Sequence, residues 1–265
     1  MSETATTRTS LRFWAYRLLP VVALVLLFYF TSPIAQDPAY YLFADGRSIL
    51  SVPNFWNVLS NLPFAVVGIW GLYAALKVDS AHARFELRNT YLVFFVGVFI
   101  TAFGSSYFHL APSDESLFWD RLPMTIGFAG LFAAVIGEYG STAAARRWLP
   151  IFLVIGVSSV VYWQWTESLG AGDLRPYAIV QFLPMLVVPA ILLISKRKND
   201  IGPYLWLMIA FYFVAKFLEF FDVAIYEAFQ VISGHSLKHV IAACGPAVLA
   251  VGLSGRLSKT CDAAS

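Results

Sequence analysis

Long apolar runs alternate along the chain with short connections that hold proline, glycine and most of the charge. A helix that spans a membrane needs about 20 mostly apolar residues. Eight runs approach that length, at approximately residues 12–31, 55–76, 89–111, 118–138, 148–165, 176–195, 203–227 and 235–254. The pattern therefore predicts an all-α integral membrane protein with eight spans.

Composition supports the same fold class. Of 265 residues, 59% are hydrophobic and 13% are charged, which is far from the averages of soluble domains. The net charge of +2 includes no long basic run, so we expect no nucleic-acid partner. The two cysteines, Cys244 and Cys261, are too few for a disulfide framework.

The first apolar run has some features of a signal peptide, because Arg8, Arg12 and Arg17 precede the stretch LLPVVALVLLFYF. The segment TSPIAQDPAYY that follows is a poor cleavage site. We therefore interpret residues 12–31 as a retained transmembrane helix that follows a cytoplasmic arm, residues 1–11.

Basic residues predict the orientation, since lysine and arginine in short loops stay on the cytoplasmic side. Every second connection is basic. These connections hold Arg8 and Arg12, then Lys77, Arg84 and Arg88, then Arg146 and Arg147, then Lys196, Arg197 and Lys198, and finally Arg256 and Lys259. Both termini, including the tail 256–265, are therefore predicted to be cytoplasmic.

This topology brings several polar residues to the outer leaflet. His109 lies near the outer end of the third run, Asp120 begins the fourth, and His235 and His239 begin the eighth. The last two histidines are four residues apart and share a helical face. With His109 they form a three-histidine set, the ligand number of a catalytic zinc site with an open fourth position.

Each candidate residue also has a structural interpretation. A single histidine near a helix end is commonly solvated at the interface, but ionisable residues inside spans are costly and usually functional. The convergent set with a carboxylate therefore favours a metal site. Ser105 lies one turn before His109, where a small residue also permits close helix packing. Asp120 alternatively caps its helix or pairs with Arg121. We assign His82, in a basic loop, no role.

The seventh run carries Lys216, Glu219 and Asp222 at intervals of three residues. We expect Lys216 and Glu219 to form an ion pair on one helical face. Whether Glu219 or Asp222 also contacts the site or the substrate is left open. Three aromatic residues around a predicted outer loop are typical of an interfacial belt: Trp163, Trp165 and Tyr177.

Three motifs resemble those of the alkaline ceramidase family. They read, in order, GSSYFH at 104–109, DRLPM at 120–124 and GHSLKH at 234–239. The stretch NFWNVLSNLPF at 54–64 resembles the start of that family's first core helix. The family belongs to a membrane-hydrolase superfamily that includes the adiponectin and progestin receptors. Its core has seven helices, so the resemblance implies a seven-helix domain over 54–255, to which helix 12–31 is an addition.

The resemblance implies that His109, His235 and His239 hold a zinc ion, with Ser105 and Asp120 beside it. Zinc would activate water and polarise an amide carbonyl. Asp120 would carry a proton to the leaving amine, and Ser105 would bind the oxyanion or hold the water. The implied enzyme is a hydrolase of linear amides that cleaves ceramide or a similar N-acyl lipid to a fatty acid and a long-chain amine. The identity of the amide and the oligomeric state stay open.

Some members of that family bind calcium through an acidic cluster before the first core helix. The corresponding segment here, ADGRSILSVPN, has Asp45 as its carboxylate and Asn54 where an acid is expected. We therefore regard calcium as doubtful.

Other classes of protein use similar residues. Histidines on facing helices can ligate haem, but that function gives Asp120 no role. Transport is disfavoured because the polar groups gather in one leaflet and no inverted repeat is evident. The stronger alternative is a zinc-containing receptor or lipid sensor without turnover. We favour the hydrolase, in a bacterial inner membrane with its site near the periplasmic side, since short loops and the connector KRKND suggest that source.

The predicted topology is testable with reporter fusions. A reporter fused after Ser265 should be cytoplasmic, and one inserted near Ser113 should be outside, because the basic connections hold alternate loops in the cytoplasm. Two reporters on the same side of the membrane would contradict the helix assignment and, with it, the convergence of the histidines.

Overall fold

The structure is a computed structural model of the chain. It describes residues 22, 25, 26, 28–78, 85–197 and 199–262, with side chains up to residue 255. All regular structure within these residues is helical, apart from one isolated bridge between Ile49 and Val52. The predicted arm 1–11 lies outside the described residues, and so does most of the predicted helix 12–31. The eighth span and the positions of the termini therefore stay predictions.

The described part of the chain has nine α-helices in a bundle. They are α1 (Phe55–Leu59), α2 (Leu62–Leu76), α3 (Arg88–Leu110), α4 (Asp114–Tyr139), α5 (Thr142–Ser168), α6 (Arg175–Ile194), α7 (Gly202–Phe220), α8 (Asp222–Phe229) and α9 (Gly234–Asp262). Short 3₁₀ segments lie at Pro38–Tyr41 and Phe85–Leu87.

Seven described segments are long and apolar enough to cross a membrane. They are Phe55–Leu76, Phe85–Leu110, Asp114–Tyr139, Thr142–Ser168, Arg175–Ile194, Gly202–Phe220 and Gly234–Gly255. Each coincides with one of the runs predicted for the seven-helix core. The prediction of an all-helical membrane protein is therefore confirmed.

The first of these spans is interrupted, which its apolar pattern did not indicate. Helix α1 ends at Leu59, and α2 begins with Pro63 in its first turn. Proline has no N–H group to continue a preceding helix, but it fits the first turn of a new one. The interruption turns the side chains of Ser60 and Asn61 into the bundle, where both are buried.

The predicted run 203–227 is wrong in its second part. Helix α7 ends at Phe220, and the separate helix α8 begins at Asp222. The Asp222 carboxylate accepts a hydrogen bond of 2.6 Å from the backbone N–H of His235 and one of 3.2 Å from that of Ala44. These contacts join segments far apart in sequence, so hydropathy carries no signal for the break.

Close helix packing aligns the end of α3 with the beginning of α4. A Cβ added at Gly104 would lie 2.0 Å from the carbonyl oxygen of Trp119, so the two backbones touch directly there. Small residues permit such an approach between membrane helices. Because Ser105 follows Gly104 and Asp120 follows Trp119, this contact brings the two polar residues to the same level of the bundle.

Residues 31–54 lie across one end of the bundle and contact the beginnings or ends of several helices. The contacts are hydrogen bonds from Leu174 to Ile34, from Arg175 to Thr31, from Tyr41 to Asp114, from Arg47 to Gln230 and Val231, and from Asn54 to His109. We call residues 31–54 the covering segment.

The close contact between α3 and α4 predicts the effect of adding a single methyl group at Gly97. Gly97→Ala should destabilise the bundle, because the added Cβ would lie 2.4 Å from the backbone nitrogen of Gly127. Overpacking of this kind costs about 1–3 kcal/mol, so we expect a lower Tm in detergent. Gly255→Ala is the matched control, since an added Cβ there meets no atom within 4 Å and alanine favours helix. An unchanged Tm in Gly97→Ala would contradict the close contact of α3 with α4.

Candidate metal centre and active site

Three buried histidines meet at the end of the bundle beneath the covering segment. His109 lies in the last turn of α3, while His235 and His239 lie in the first two turns of α9. Their side chains are exposed by only 1%, 6% and 4%. One ring nitrogen from each lies within 4.8 Å of the other two. The structure thus brings together the histidines that the sequence placed in one leaflet.

The spacing of these donors fits a metal ion. His109 Nε2 and His239 Nε2 are 3.3 Å apart. Two nitrogens bound at about 2.0–2.1 Å from one tetrahedral ion would lie roughly 3.3–3.4 Å from each other. Three imidazoles are also a common donor set for divalent transition metals. The cluster is therefore able to hold a metal ion, without showing which one.

A hydroxyl group on the first span orients His239. Ser60 Oγ lies 2.8 Å from His239 Nδ1 and 3.2 Å from the carbonyl oxygen of Asn57. If the hydroxyl donates to the Asn57 carbonyl, it accepts from the imidazole N–H. That arrangement leaves the lone pair of His239 Nε2 directed at the cluster, which is how second-shell partners commonly prepare a metal ligand.

The other two histidines are positioned differently. The ring of Phe43 packs against both, with centroids 4.7 Å from His109 and 5.1 Å from His235. His109 Nδ1 is buried and has no hydrogen-bond partner among the described residues. The ammonium of Lys238 lies 3.1 Å from His235 Nε2. A metal would have to bind the other nitrogen of His235 or displace this ammonium.

Ser105 and Asp120 adjoin the histidines. Both are buried, and the Ser105 side chain adjoins the Asp120 carboxylate and interacts with it. They line a cavity of about 210 Å³ together with all three histidines. We call this cavity the polar chamber. Arg121, the neighbour with which the sequence allowed Asp120 to pair, donates a hydrogen bond to Gln36 instead. The functional roles of the five residues stay predictions.

A charged group of three residues forms one wall of the polar chamber. Lys216 Nζ lies 2.6 Å from one oxygen of Glu219, and Lys238 Nζ lies 2.8 Å from the other. The predicted pair of Lys216 with Glu219 is confirmed, whereas the participation of Lys238 was missed. Glu219 reaches the histidines only through Lys238, and Asp222 contacts His235 only at its backbone N–H.

Four polar residues of the first span form a supporting row that the sequence analysis missed. Asn57 Oδ1 accepts a hydrogen bond of 2.7 Å from Ser236 Oγ, and Asn54 Nδ2 donates one of 2.8 Å to the carbonyl oxygen of His109. Their spacing contained a signal, since residues three or four apart share one helical face. The row consists of Asn54, Asn57, Ser60 and Asn61.

Two of the three aromatic residues predicted for an interfacial belt belong to the interior instead. Trp163 is 0% exposed and Tyr177 is 4% exposed, whereas Trp165 is 59% exposed. Arg121 stacks on the first two, with its guanidinium carbon 4.3 Å and 4.9 Å from their ring centroids. The position of a residue near a loop does not reveal whether it lies on the buried face of its helix. Trp163 and Tyr177 lie on buried faces, where they pack against the buried side chain of Arg121.

Asp45, the residue on which the doubt about calcium rests, already has a cationic partner. Its carboxylate binds the guanidinium of Arg47 through contacts of 2.8 Å and 2.7 Å. Burial alone would raise the pKa of Asp45, but the hydrogen bonds and charge of Arg47 outweigh burial and hold that pKa below its ordinary value. Arg47 also donates to the carbonyl oxygens of Gln230 and Val231, which ties the covering segment to the turn before α9.

A second cavity adjoins the polar chamber deeper in the bundle. Its volume is about 170 Å³, and its lining is almost entirely apolar, with Phe94, Val98, Leu131 and Met208 among its residues. We call it the apolar chamber. Six residues line both chambers, which are therefore contiguous: Phe64, Thr101, Met124, Phe128, Tyr212 and Ala242.

Comparison with known protein families identifies a relationship over most of the chain. The model of the family described as Ceramidase matches residues 49–255. No curated protein and no solved structure matches the chain. The matched range includes the three histidines, Ser105 and Asp120. The chain belongs to the Ceramidase family.

Proposed function

We propose that this protein is a zinc-dependent intramembrane amide hydrolase that cleaves ceramide or a similar N-acyl lipid. The family suggests a ceramide-hydrolysing membrane enzyme. The observation that carries the proposal is the geometry of the polar chamber, where three histidine donors adjoin a buried serine and a buried aspartate. The products would be a fatty acid and a long-chain amine.

In this proposal His109, His235 and His239 hold zinc. Three histidines leave a fourth coordination position open, as in catalytic zinc sites. When bound there, zinc would supply Lewis acidity toward water and the amide carbonyl. The hydroxyl of Ser60 and the ring of Phe43 would keep His239 and His109 oriented. Calcium has no part in the proposal.

Asp120 would move the protons of the reaction. Hydrolysis requires a base that accepts a proton from the attacking water and returns it to the nitrogen of the leaving amine. Asp120 is a carboxylate in the chamber that also holds the histidines, and it makes no ion pair with a basic residue in the described part of the chain. Ser105 would orient that carboxylate or donate to the oxyanion that forms on the carbonyl oxygen.

The two contiguous chambers suit an amide within a lipid. The acyl chain would lie in the apolar chamber, where burial of methylene groups supplies binding energy. The amide would then lie at the junction with the polar chamber, near the histidines. We also infer a bacterial inner membrane, which the short loops and the connector KRKND suggest. This end of the bundle would lie on the periplasmic side, because the predicted loops at the opposite end carry the basic residues.

Metal content tests the ligand assignment. His109→Ala, His235→Ala and His239→Ala should each remove most of the bound zinc, since each deletes one of three protein ligands. Ser60→Ala should weaken affinity by about 10–100-fold, in line with loss of a second-shell partner. His82→Ala, at a histidine outside the described residues, is the matched control. Stoichiometric zinc in any one of the three site variants, measured by elemental analysis of detergent-purified protein, would show that its histidine is not a ligand.

Turnover tests the role of Asp120. Asp120→Asn keeps the shape of the side chain but removes the base, so zinc should stay while amide hydrolysis falls by about 10²–10⁴-fold. Ser105→Ala should lower the rate of amide hydrolysis by about 10²-fold, as expected for loss of one oxyanion donor. Ser159→Ala is the matched control, because its buried hydroxyl bonds only to Gly156 within α5. Fatty-acid release from a panel of N-acyl lipids is the measurement.

Two outcomes would contradict different parts of the proposal. Full activity in Asp120→Asn would leave a hydrolase with a different base. A fully zinc-loaded wild type that releases no fatty acid from any N-acyl lipid, in several detergents and in bilayers, would instead favour a receptor or lipid sensor.

A further inference from the structure

Arg121 is a buried cation in the polar chamber that the proposed hydrolysis does not use. Its side chain is only 7% exposed and lines the chamber together with the histidines. Its Nη2 donates a hydrogen bond of 2.6 Å to Gln36 Oε1. Its Nη1 is buried and has no hydrogen-bond partner among the described residues. A buried guanidinium with an unmet donor is costly, so this nitrogen is suited to an acceptor supplied from outside the chain.

Aromatic rings hold the guanidinium but do not satisfy its N–H groups. The guanidinium carbon lies 4.3 Å from the ring centroid of Trp163, 4.9 Å from that of Tyr177 and 5.9 Å from that of Tyr40. Stacking on a ring engages the face of a guanidinium and leaves its edge, which carries the N–H donors, able to bind an oxyanion. The three rings therefore fix the direction in which Arg121 can donate hydrogen bonds.

The two carboxylates that line the polar chamber, those of Asp120 and Glu219, interact with residues other than Arg121. Glu219 is shared between Lys216 and Lys238, and Asp120 interacts with Ser105. No ion pair joins Arg121 to a carboxylate in the described part of the chain. Three basic residues thus line a chamber with only two acidic ones, which favours an anionic group.

The position of Arg121 indicates which part of a lipid it would meet. It lines the polar chamber but not the apolar chamber. Gln36 and Tyr40, on the covering segment, lie on its other side. An acyl chain in the apolar chamber and an amide near the histidines would leave the amine-bearing part of the lipid toward Arg121.

We propose that Arg121 selects N-acyl lipids whose amine-bearing part carries an oxyanion, such as a phosphate, sulfonate or carboxylate. This inference rests on the proposed amide hydrolysis and narrows its substrate class. Arginine binds such groups through charge-assisted hydrogen bonds that are about twice as strong as neutral ones. Arg121 acts as a specificity residue, and the bond that breaks is still the amide C–N bond.

A matched pair of substrates tests the selection. Ceramide and ceramide 1-phosphate with the same acyl chain and sphingoid base differ only in the oxyanion. Both are presented to the zinc-loaded full-length protein in mixed micelles with the same fraction of an anionic carrier lipid, so that surface charge is equal. We expect wild-type kcat/KM to be higher for ceramide 1-phosphate by about 10–100-fold, as a charged hydrogen bond allows.

Arg121→Gln should remove this preference. We expect kcat/KM for ceramide 1-phosphate to fall by about 10–100-fold, mainly through KM, while that for ceramide changes by less than about 3-fold. Activity on ceramide in the same sample shows that the variant is folded. If Arg121→Gln does not fold, Arg121→Lys takes its place, since it keeps the charge but loses the planar donor edge and should lose most of the preference.

Arg175→Gln is the matched control. Arg175 is another buried arginine at this end of the bundle, but it pairs with Asp173 and does not line the polar chamber. Its variant should keep the wild-type ratio of the two kcat/KM values, whatever its effect on stability.

Three results would overturn the inference. The first is a wild type that hydrolyses ceramide as well as or better than ceramide 1-phosphate, which leaves the proposed hydrolase intact. The second is an equal loss on both substrates in Arg121→Gln, which indicates a structural role. The third is inhibition by oleate that Arg121→Gln relieves without any change in headgroup preference, which would assign Arg121 to the fatty-acid product. Absence of hydrolysis with either lipid and with all other N-acyl lipids would reject the proposed function itself.

Discussion

A polar side chain inside this bundle needs a partner, because neither lipid nor an apolar core supplies hydrogen bonds. The candidate site is built largely from such partnerships. Ser60 bonds to His239, Ser105 adjoins Asp120, and Lys238 contacts both Glu219 and His235. Three of these contacts link separate parts of the bundle: Ser60, between α1 and α2, contacts α9, Ser105 on α3 adjoins α4, and Lys238 on α9 contacts α7. The groups that satisfy one another therefore also determine where the helices meet.

Backbone packing makes these contacts possible. Direct contact between α3 and α4 at Gly104 holds Ser105 level with Asp120, and the carboxylate of Asp222 caps the helix that bears two of the histidines. The covering segment then closes this end of the bundle, through Asn54 on His109 and through Arg47 on the turn before α9. The candidate site residues are thereby held by well-packed elements, as the positioning of a bound substrate requires.

In the proposed function, the two contiguous chambers would divide recognition of a lipid between apolar and polar contacts. The deeper chamber offers burial to a hydrocarbon chain, and its size and shape would limit chain length. The polar chamber supplies metal donors, a carboxylate and the edge of a stacked guanidinium. Such a division would let the protein combine nondirectional apolar binding with directional polar chemistry at one end of the bundle.

Hydrophobic periodicity was enough to predict the seven core spans, and the loop charges placed His109, Asp120, His235 and His239 at one level, because both properties are local. The three motifs indicated the family for the same reason. Local pattern could not show the break at Phe221, the partners of the polar side chains around Ser60, or the burial of Trp163 and Tyr177. Those features depend on which helix faces meet. The same holds for Arg121, whose aromatic neighbours are distant in sequence and whose Nη1 has no hydrogen-bond partner among the described residues.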